Sequence, residues 1–533
     1  MRLLNISDLS LSIHSLPILH NVSLSVNSGE IVAITGESGS GKSMTALAAL
    51  QLLPKGAECN GQIILADRDL LDLTETQLCS IRGNDIGMVF QEPMTALNPV
   101  QTIGRQVAET IRIHDGSVTR SESEDRAAET LSRVGLPQDR FPLSRYPHEL
   151  SGGQRQRVVI AMAIALQPRL LIADEPTTAL DVTTQAQILD LLKGLAQEDG
   201  MGLLMITHDL AVVADMADHI VVMRKGEVVE QGETAALLRN MQHPYTKMLF
   251  AASKHKVALP DAPAPQLLLK VKNVTREYRL PHRKLFAAQE HFRAVDDVSF
   301  TVQRGERLGL VGESGCGKST LTRAILGLEQ VQQGSITLDG EPVFTGTKPN
   351  LAVRRKMQVV FQDPFGSFNP RHRVDRLITE PFHLLDAPPT GADRTRAIDE
   401  ALTAVGLTPQ DAWKYIHEFS GGQRQRIAIA RALIIRPELI LFDEAVSALD
   451  VSVRAQILDL LAALCTSYDL TYLFISHDLS VVRTVTDRVL VMNSGRIVEQ
   501  GPTEEVFEAP QHPYTRKLIA AAPVLPDIAE LAS

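Results

Sequence analysis

The chain is poor in cysteine, in aromatic residues and in unbroken apolar stretches. Four cysteines occur in 533 residues (Cys59, Cys79, Cys316 and Cys465), far apart and without paired spacing. That pattern excludes a disulfide framework and a cysteine zinc site, and it points to a reducing cytoplasm. The longest apolar run, Val158 to Leu166, is nine residues, whereas a spanning helix needs about 20. The chain is therefore not expected to cross a membrane by itself. The opening Met1-Arg2-Leu3-Leu4-Asn5 turns polar too soon for a secretory leader. Positive excess is missing as well: 53 Lys and Arg stand against 63 Asp and Glu, for a net charge of −10, which argues against a nucleic-acid surface. What remains, 44% apolar and 22% charged, is an ordinary globular composition. A chain of this length favours two large domains over one.

The two domains announce themselves by repetition. Gly36-Glu37-Ser38-Gly39-Ser40-Gly41-Lys42-Ser43 returns as Gly312-Glu313-Ser314-Gly315-Cys316-Gly317-Lys318-Ser319, followed by Thr320. From Ser151 onward each landmark recurs 269 residues later: the run from Ser151 to Arg157 as that from Ser420 to Arg426, Glu175 as Glu444, His208 as His477, and His243-Pro244-Tyr245-Thr246 as His512-Pro513-Tyr514-Thr515. An offset that never drifts means two copies of one domain with matching loops. The predicted organisation is residues 1–253, a proline-rich linker 254–266 and residues 267–533. Three prolines within 260–265 make that linker a short, semi-rigid tether. The charged stretch Asp115 to Arg126 reads as a solvated helix face or loop.

Within each copy the pattern is α/β. Ile31–Ile34 and Leu308–Val311 read as strands, each followed by a glycine-rich turn and a helix (Lys42 to Leu53, Lys318 to Leu328). Leu170–Ala173 and Leu439–Phe442 are continuous apolar runs ending in acids, as expected of strands buried on both faces of a parallel sheet. The glycines let backbone N–H groups converge on phosphate oxygens, and the following helix aims its N-terminus at the same anion. In such a loop Lys42 and Lys318 reach the β- and γ-phosphates, and the Ser43 and Ser319 hydroxyls hold magnesium. Asp174-Glu175 and Asp443-Glu444 stand at strand ends where open α/β sheets bind ligands. There the aspartates suit magnesium and the glutamates suit polarising a water. Ser151-Gly152-Gly153-Gln154 and Ser420-Gly421-Gly422-Gln423 read as capped helix starts, free to receive a phosphate held elsewhere.

Over essentially its whole length the chain resembles the ATP-binding-cassette ATPases. The resemblance implies two tandem cassettes, each a mostly parallel sheet core with a helical signature subdomain and an antiparallel edge, using ATP and Mg2+. It implies that Gln91 and Gln362 link magnesium to a membrane partner. It implies that His208 and His477 are the switch histidines on the γ-phosphate, and that Asp181 and Asp450 belong to the loop that communicates across the dimer. It further implies a sandwich in which residues 36–43 face 420–426, and 312–319 face 151–157. The adenine-stacking aromatic matches Tyr278 in the second half, whereas Ile13, with His14 beside it, takes that place in the first. Two competent sites of unequal nucleotide affinity are expected.

The His-Pro-Tyr-Thr tails and the glutamine loops (Gln91-Glu92-Pro93, Gln362-Asp363-Pro364, with Asn98-Pro99 and Asn369-Pro370 beyond) are similar to the dipeptide/oligopeptide/nickel importer branch. This implies ATP-driven uptake of peptides, or of microcin C-like cargo, through two separate permease subunits and a solute-binding protein. One copy of this chain would act per transporter, peripheral at the cytoplasmic face of a bacterial inner membrane. Glutathione or nickel is the alternative cargo. A twin-cassette ATPase acting on ribosomes or nucleic acid is the alternative class, disfavoured by the brief, non-basic linker. No cysteine cluster ends the chain, so no iron–sulfur centre is expected.

Overall fold

A computed structural model describes residues 2–91, 96–178, 180–260, 265–279, 291–363, 366–447 and 449–526. Contacts divide it into two units, Met1–Lys254 together with the stretch from Pro523, and His255–Ala522.

In the first unit, β1 (Arg2–Ile13), β2 (Leu16–Asn27) and β4 (Ala57–Leu65) form an antiparallel sheet in the order β2-β1-β4. The second sheet is the scaffold of the site. It holds β3 (Ile31–Thr35), β5 (Ile86–Val89), β6 (Leu170–Asp174), β7 (Gly202–Ile206), β8 (His219–Arg224) and β9 (Glu227–Glu233), in the order β9-β8-β3-β7-β6-β5. All neighbours are parallel except β8 and β9. Every residue of β3, β6 and β7 is buried, as continuous apolar runs between two covered faces require. β3 and β6 flank β7 and run parallel to it, so the loops after both leave the same edge of the sheet. The helices that matter are α1 (Lys42–Ala49), α2 (Ile103–His114), α3 (Arg120–Arg133), α4 (Gly152–Ile164), α5 (Val182–Asp199), α6 (Leu210–Met216) and α7 (Pro244–Ser253). The charged stretch after Asp115 becomes α3, started by a Thr119–Glu122 capping box.

The second unit repeats this plan. β10 (Leu267–Arg279) and β11 (His291–Gln303) pair antiparallel. The main sheet comprises β12 (Arg307–Val311), β13 (Met357–Val360), β14 (Leu439–Asp443), β15 (Tyr472–Ile475), β16 (Arg488–Asn493) and β17 (Arg496–Pro502), in the order β13-β14-β15-β12-β16-β17. Its principal helices are α8 (Lys318–Ile325), α9 (Gly391–Ala404), α10 (Gly421–Leu433), α11 (Val451–Tyr468) and α12 (Pro513–Ala520).

Two helix limits differ from the sequence expectation. α1 stops at Ala49 rather than Leu53 because Gln51 turns left-handed (φ 51°). α8 stops at Ile325 because Gly327 does the same (φ 67°). α4 begins at Gly152 with Ser151 as its cap, as the sequence run reads. Asp261–Ala264 of the linker lie outside the described residues. Its earlier part is tied to the second unit: His255 Nε2 lies 2.7 Å from Asp459 Oδ1, and Arg307 Nη2 donates to the Pro260 carbonyl at 2.6 Å. Arg307 is 2% exposed and is itself held by Asp487 at 2.7 Å.

Candidate nucleotide sites

β3 ends in the glycine-rich turn, which becomes α1 at Lys42. Gly41, the residue before the helix, has φ 101°, and a Cβ there would lie 2.5 Å from Leu19 Cδ2. Gly36 (φ 146°) would place its Cβ 2.1 Å from the Met223 carbonyl oxygen. Both glycines are required by the protein's own packing, before any ligand is considered. Gly39 is different: φ is 75° and nothing lies within 4 Å of its would-be Cβ, so it faces open space on the loop's outer side. Lys42 is 6% exposed. Its Nζ donates to the Gly36 and Glu37 carbonyls, both at 2.8 Å. Lys318 does the same with Gly312 (2.7 Å) and Glu313 (3.0 Å). A buried ammonium that bonds neutral carbonyls is poised to exchange them for an anion.

β6 delivers the acids to the same edge. Ser43 Oγ donates to Asp174 Oδ1 at 3.1 Å. Burial pushes the Asp174 carboxyl above its ordinary range, the Ser43 bond opposes this, and the neighbouring Glu175 charge adds to it. Asp443 is raised by burial in the same way. A buried carboxylate beside a serine hydroxyl is a donor set that suits a hard divalent cation with oxygen ligands.

Glu175 and Glu444 have left-handed backbones, φ 47° and 51°, which is uncommon outside glycine. Each backbone N–H reaches the end of the adjacent strand, Glu175 to Ile206 and Glu444 to Ile475, both at 2.9 Å. This turns each side chain toward a histidine: His208 Nδ1 lies 3.3 Å from Glu175 Oε1, and His477 Nδ1 lies 3.3 Å from Glu444 Oε1. Glu175 also accepts from Gln91 Nε2 at 3.0 Å and Thr178 Oγ1 at 2.9 Å. Burial alone would raise its pKa, but the bond and charge of His208, the Thr178 bond and the Lys42 charge outweigh it and bring it to about 2. Glu444 is lowered too, with burial opposed by His477 and Lys318. Lys42, Ser43, Gln91, Asp174, Glu175 and His208 are thus joined at one edge. The rest of the first glutamine loop, 92–95, lies outside the described residues, as do 364–365.

The signature runs form solvent-facing helix starts. Ser151 Oγ accepts from the Gln154 N–H at 3.3 Å, and Gln154 Oε1 accepts from the Ser151 N–H at 3.0 Å. Ser420 and Gln423 repeat this at 3.4 and 3.0 Å. Ser151, Gly152, Ser420 and Gly421 are exposed, whereas Gly153 and Gly422 are buried. Gly153 packs on α5, and Gly422 on α11. Asp181 starts α5, accepting from Thr184 N–H, Thr184 Oγ1 and Thr183 Oγ1 at 3.0 to 3.1 Å.

The stacking positions also differ. Tyr278 is the penultimate residue of β10; the Arg276 guanidinium covers its ring at 4.7 Å, and its hydroxyl bonds Glu329. Ile13 pairs with Leu16, so β1 and β2 close over a two-residue turn, His14-Ser15, both left-handed (φ 48° and 65°). There the His14 ring packs on Gly56, whose would-be Cβ lies 2.5 Å away.

Sequence reasoning missed two contributors. One is Thr178, whose hydroxyl holds Glu175. The other is the tyrosine of each His-Pro-Tyr-Thr tail: Tyr245 Oη accepts from the Glu37 N–H at 3.0 Å, and Tyr514 Oη from the Glu313 N–H at 2.9 Å.

Comparison with known proteins identifies the family. The family model described as "ABC transporter" matches residues 19–178 and 295–447. The model described as "Oligopeptide/dipeptide transporter, C-terminal region" matches 229–266 and 498–532. The chain is similar to the glutathione import ATP-binding protein GsiA of Escherichia coli (strain K12), with 47% identity over 540 residues, covering 95% of this chain and 86% of that one. It is 46% identical over 561 residues to GsiA of Salmonella typhimurium, covering 98% and 89%. Among solved structures, the dimeric post-hydrolysis ATP-binding cassette MJ0796 bound to ADP and Pi is 32% identical, covers 43% of this chain and 98% of that one, and has a TM-score of 0.39. The chain belongs to the ABC transporter family: it is an importer's ATP-hydrolysing subunit, carrying two ATP-binding cassettes in one polypeptide, each followed by an oligopeptide/dipeptide-transporter C-terminal region.

Proposed function

We propose that ATP hydrolysis by this chain drives uptake of small peptide-like solutes, delivered by a solute-binding protein and carried through two permease subunits. The observation that carries this reading is the oligopeptide/dipeptide-transporter region matched in both halves. Glutathione, itself a tripeptide, is the narrower candidate favoured by the names of the relatives. Within the first unit, a groove of about 400 Å³ lined by Leu52, Phe90, Thr110 and Met162 includes the residue just before Gln91 and suits a permease helix. Phe90 is 43% exposed there, and Phe361 is 41% exposed at the matching place in the second unit. No helix among the described residues is long and apolar enough to cross a membrane, so attachment at the inner membrane's cytoplasmic face would run through the permeases.

In the proposed reaction, Lys42 and Lys318 turn from their carbonyls to the nucleotide's β- and γ-phosphates. Glu175 and Glu444 stay ionised at neutral pH and orient the attacking water more than they draw its proton. His208 and His477, fixed through Nδ1, present Nε2 to the γ-phosphate. Ser43 with Asp174, and Ser319 with Asp443, would hold magnesium, with Gln91 and Gln362 completing the set; the ion neutralises phosphate charge. The exposed signature helix starts suit a phosphate that their own cassette does not hold.

The test uses Lys42→Ala and Lys318→Ala, singly and together, in cells lacking the native gene. The double variant is expected to lose ATPase activity and uptake of both labelled tripeptide and labelled glutathione. Retained uptake in the double variant, or co-sedimentation of the wild-type chain with ribosomes, overturns the reading.

A further inference from the structure

The two His-Pro-Tyr-Thr tails lie far from the phosphate loops in sequence, yet each touches one. The contact falls on a single peptide plane. In the first unit the Gly36 carbonyl accepts from Lys42 Nζ at 2.8 Å, while the N–H of the same peptide unit, that of Glu37, donates to Tyr245 Oη at 3.0 Å. In the second unit the Gly312 carbonyl accepts from Lys318 Nζ at 2.7 Å, and the Glu313 N–H donates to Tyr514 Oη at 2.9 Å. A peptide unit is planar, so bonds at its two ends fix its orientation. Gly36 and Gly312 have φ 146° and 152°, and glycine puts little steric resistance in the way of rotation at that point.

The phenol is held firmly. Tyr245 is 2% exposed, and the Arg224 guanidinium lies 4.7 Å from its ring centroid. The His243 ring accepts from the Tyr245 N–H at 3.2 Å, starting α7. The chain just before it is clamped by one carboxylate of β9: Glu230 accepts from the Gln242 N–H at 2.6 Å and the His243 N–H at 3.2 Å. In the second unit Glu499 accepts from Gln511 and His512 N–H at 2.7 and 3.0 Å, and His512 accepts from the Tyr514 N–H at 3.2 Å. The same relay, from strand carboxylate through capping histidine and tyrosine to phosphate loop, is built twice.

We propose that Tyr245 and Tyr514 are positioning residues for nucleotide binding: each phenol latches the first peptide of its phosphate loop. When the nucleotide draws Lys42 or Lys318 away from the glycine carbonyl, one of the plane's two restraints is lost. The phenol remains, and keeps the loop's N–H groups aimed outward at the phosphates. The C-terminal region of each half is thereby part of the nucleotide site and not only a helical cover. This rests on the reading that residues 36–43 and 312–319 hold the nucleotide.

Tyr245→Phe and Tyr514→Phe remove the acceptor and keep the ring. In the purified full chain the double variant is expected to raise the KM for ATP about fivefold, the weight of one hydrogen bond. The expected kcat stays within about twofold, and the nucleotide-free melting temperature within about 2 °C. Amide hydrogen exchange of the peptide spanning residues 33–43 is expected to speed up in the Tyr245→Phe variant, a readout independent of activity. An unchanged KM together with unchanged exchange overturns the latch. So does an equal fall in nucleotide-free stability and activity, which would mark a packing role alone. Lys42→Ala with Lys318→Ala separates the two readings: if that variant still binds ATP, the site assignment itself fails. If it does not bind while the phenylalanine variants match wild type, only the latch fails.

Discussion

The second glycine of each signature run should not tolerate even alanine, for a reason unconnected with phosphate. A Cβ on Gly153 would lie 2.1 Å from Thr184 Cγ2, whereas non-bonded carbons settle at about 3.5–4.0 Å. Relief by rotating Thr184 is costly, because its side chain is β-branched and its hydroxyl bonds Asp181 Oδ2 at 3.0 Å. Relief by moving α4 displaces the helix start. Overpacking of this kind costs about 1–3 kcal/mol, and alanine's better helix propensity returns at most about 1 kcal/mol. The net loss is about 1–2 kcal/mol, or roughly 2–8 °C in the melting temperature of a unit this large. A helix start displaced by about an ångström is expected to lower ATPase activity by up to about 100-fold.

Thr184→Ser removes the offending methyl and keeps the hydroxyl, so Gly153→Ala with Thr184→Ser should regain most of both losses. Gly152→Ala is the control for folding: its Cβ would meet Leu180 Cδ2 at an ordinary 3.7 Å, and its melting temperature should not fall. The assay is thermal unfolding of the purified chain beside steady-state phosphate release. Wild-type stability and activity in Gly153→Ala, or no recovery with Thr184→Ser, would refute the steric account.

Three further outcomes are expected. Binding of ATP to the Lys318→Ala variant, which leaves the first site intact, should be at least about fivefold weaker than to Lys42→Ala, because base stacking is worth about 1–3 kcal/mol and Ile13 replaces an aromatic; equal titration curves would contradict this. Glu175 has its folded pKa lowered from 4.5 to about 2, so its stabilising contribution is complete above about pH 4.5 and fades as the pH falls toward 2. The melting difference between wild type and Glu175→Gln should therefore be smaller at pH 3.5 than at pH 6; a difference that grows in acid would reverse the sign. Asp174→Asn should raise the magnesium concentration for half-maximal ATPase activity by about tenfold or more, measured by magnesium titration at saturating ATP.

The parts legible in the sequence were those written in short contiguous runs. The phosphate loops, the acid pairs after apolar strands and the capped signature helices each declare themselves within a few residues, because their function depends on local backbone shape. The contacts that complete them do not. Tyr245 and Glu37 are 208 residues apart, and no period or propensity links them. Gly153 reads as a helix-start glycine, yet Thr184 of another helix sets its limit. The left-handed Glu175 is invisible as well, since the residue type argues against that backbone and only the hydrogen bond to the end of β7 accounts for it. Helix ends slipped where one left-handed residue, Gln51 or Gly327, stopped a pattern that hydrophobicity would have continued.

The two halves keep the same reactive groups and differ in what holds them. Thr178 turns its hydroxyl to the Glu175 carboxylate, whereas Ser447, at the matching place, donates to the Glu444 backbone carbonyl at 2.9 Å. Pro176-Thr177 precede the first, and Ala445-Val446 the second. Asp181 is restrained by two threonines where Val451, Ser452 and Val453 follow Asp450. A carboxylate with donors from His208, Gln91 and Thr178 must give up more of them to engage a water than one whose neighbouring serine has turned to the backbone. The two halves thus carry the same acid and histidine at these places and differ in the neighbours that hold each carboxylate.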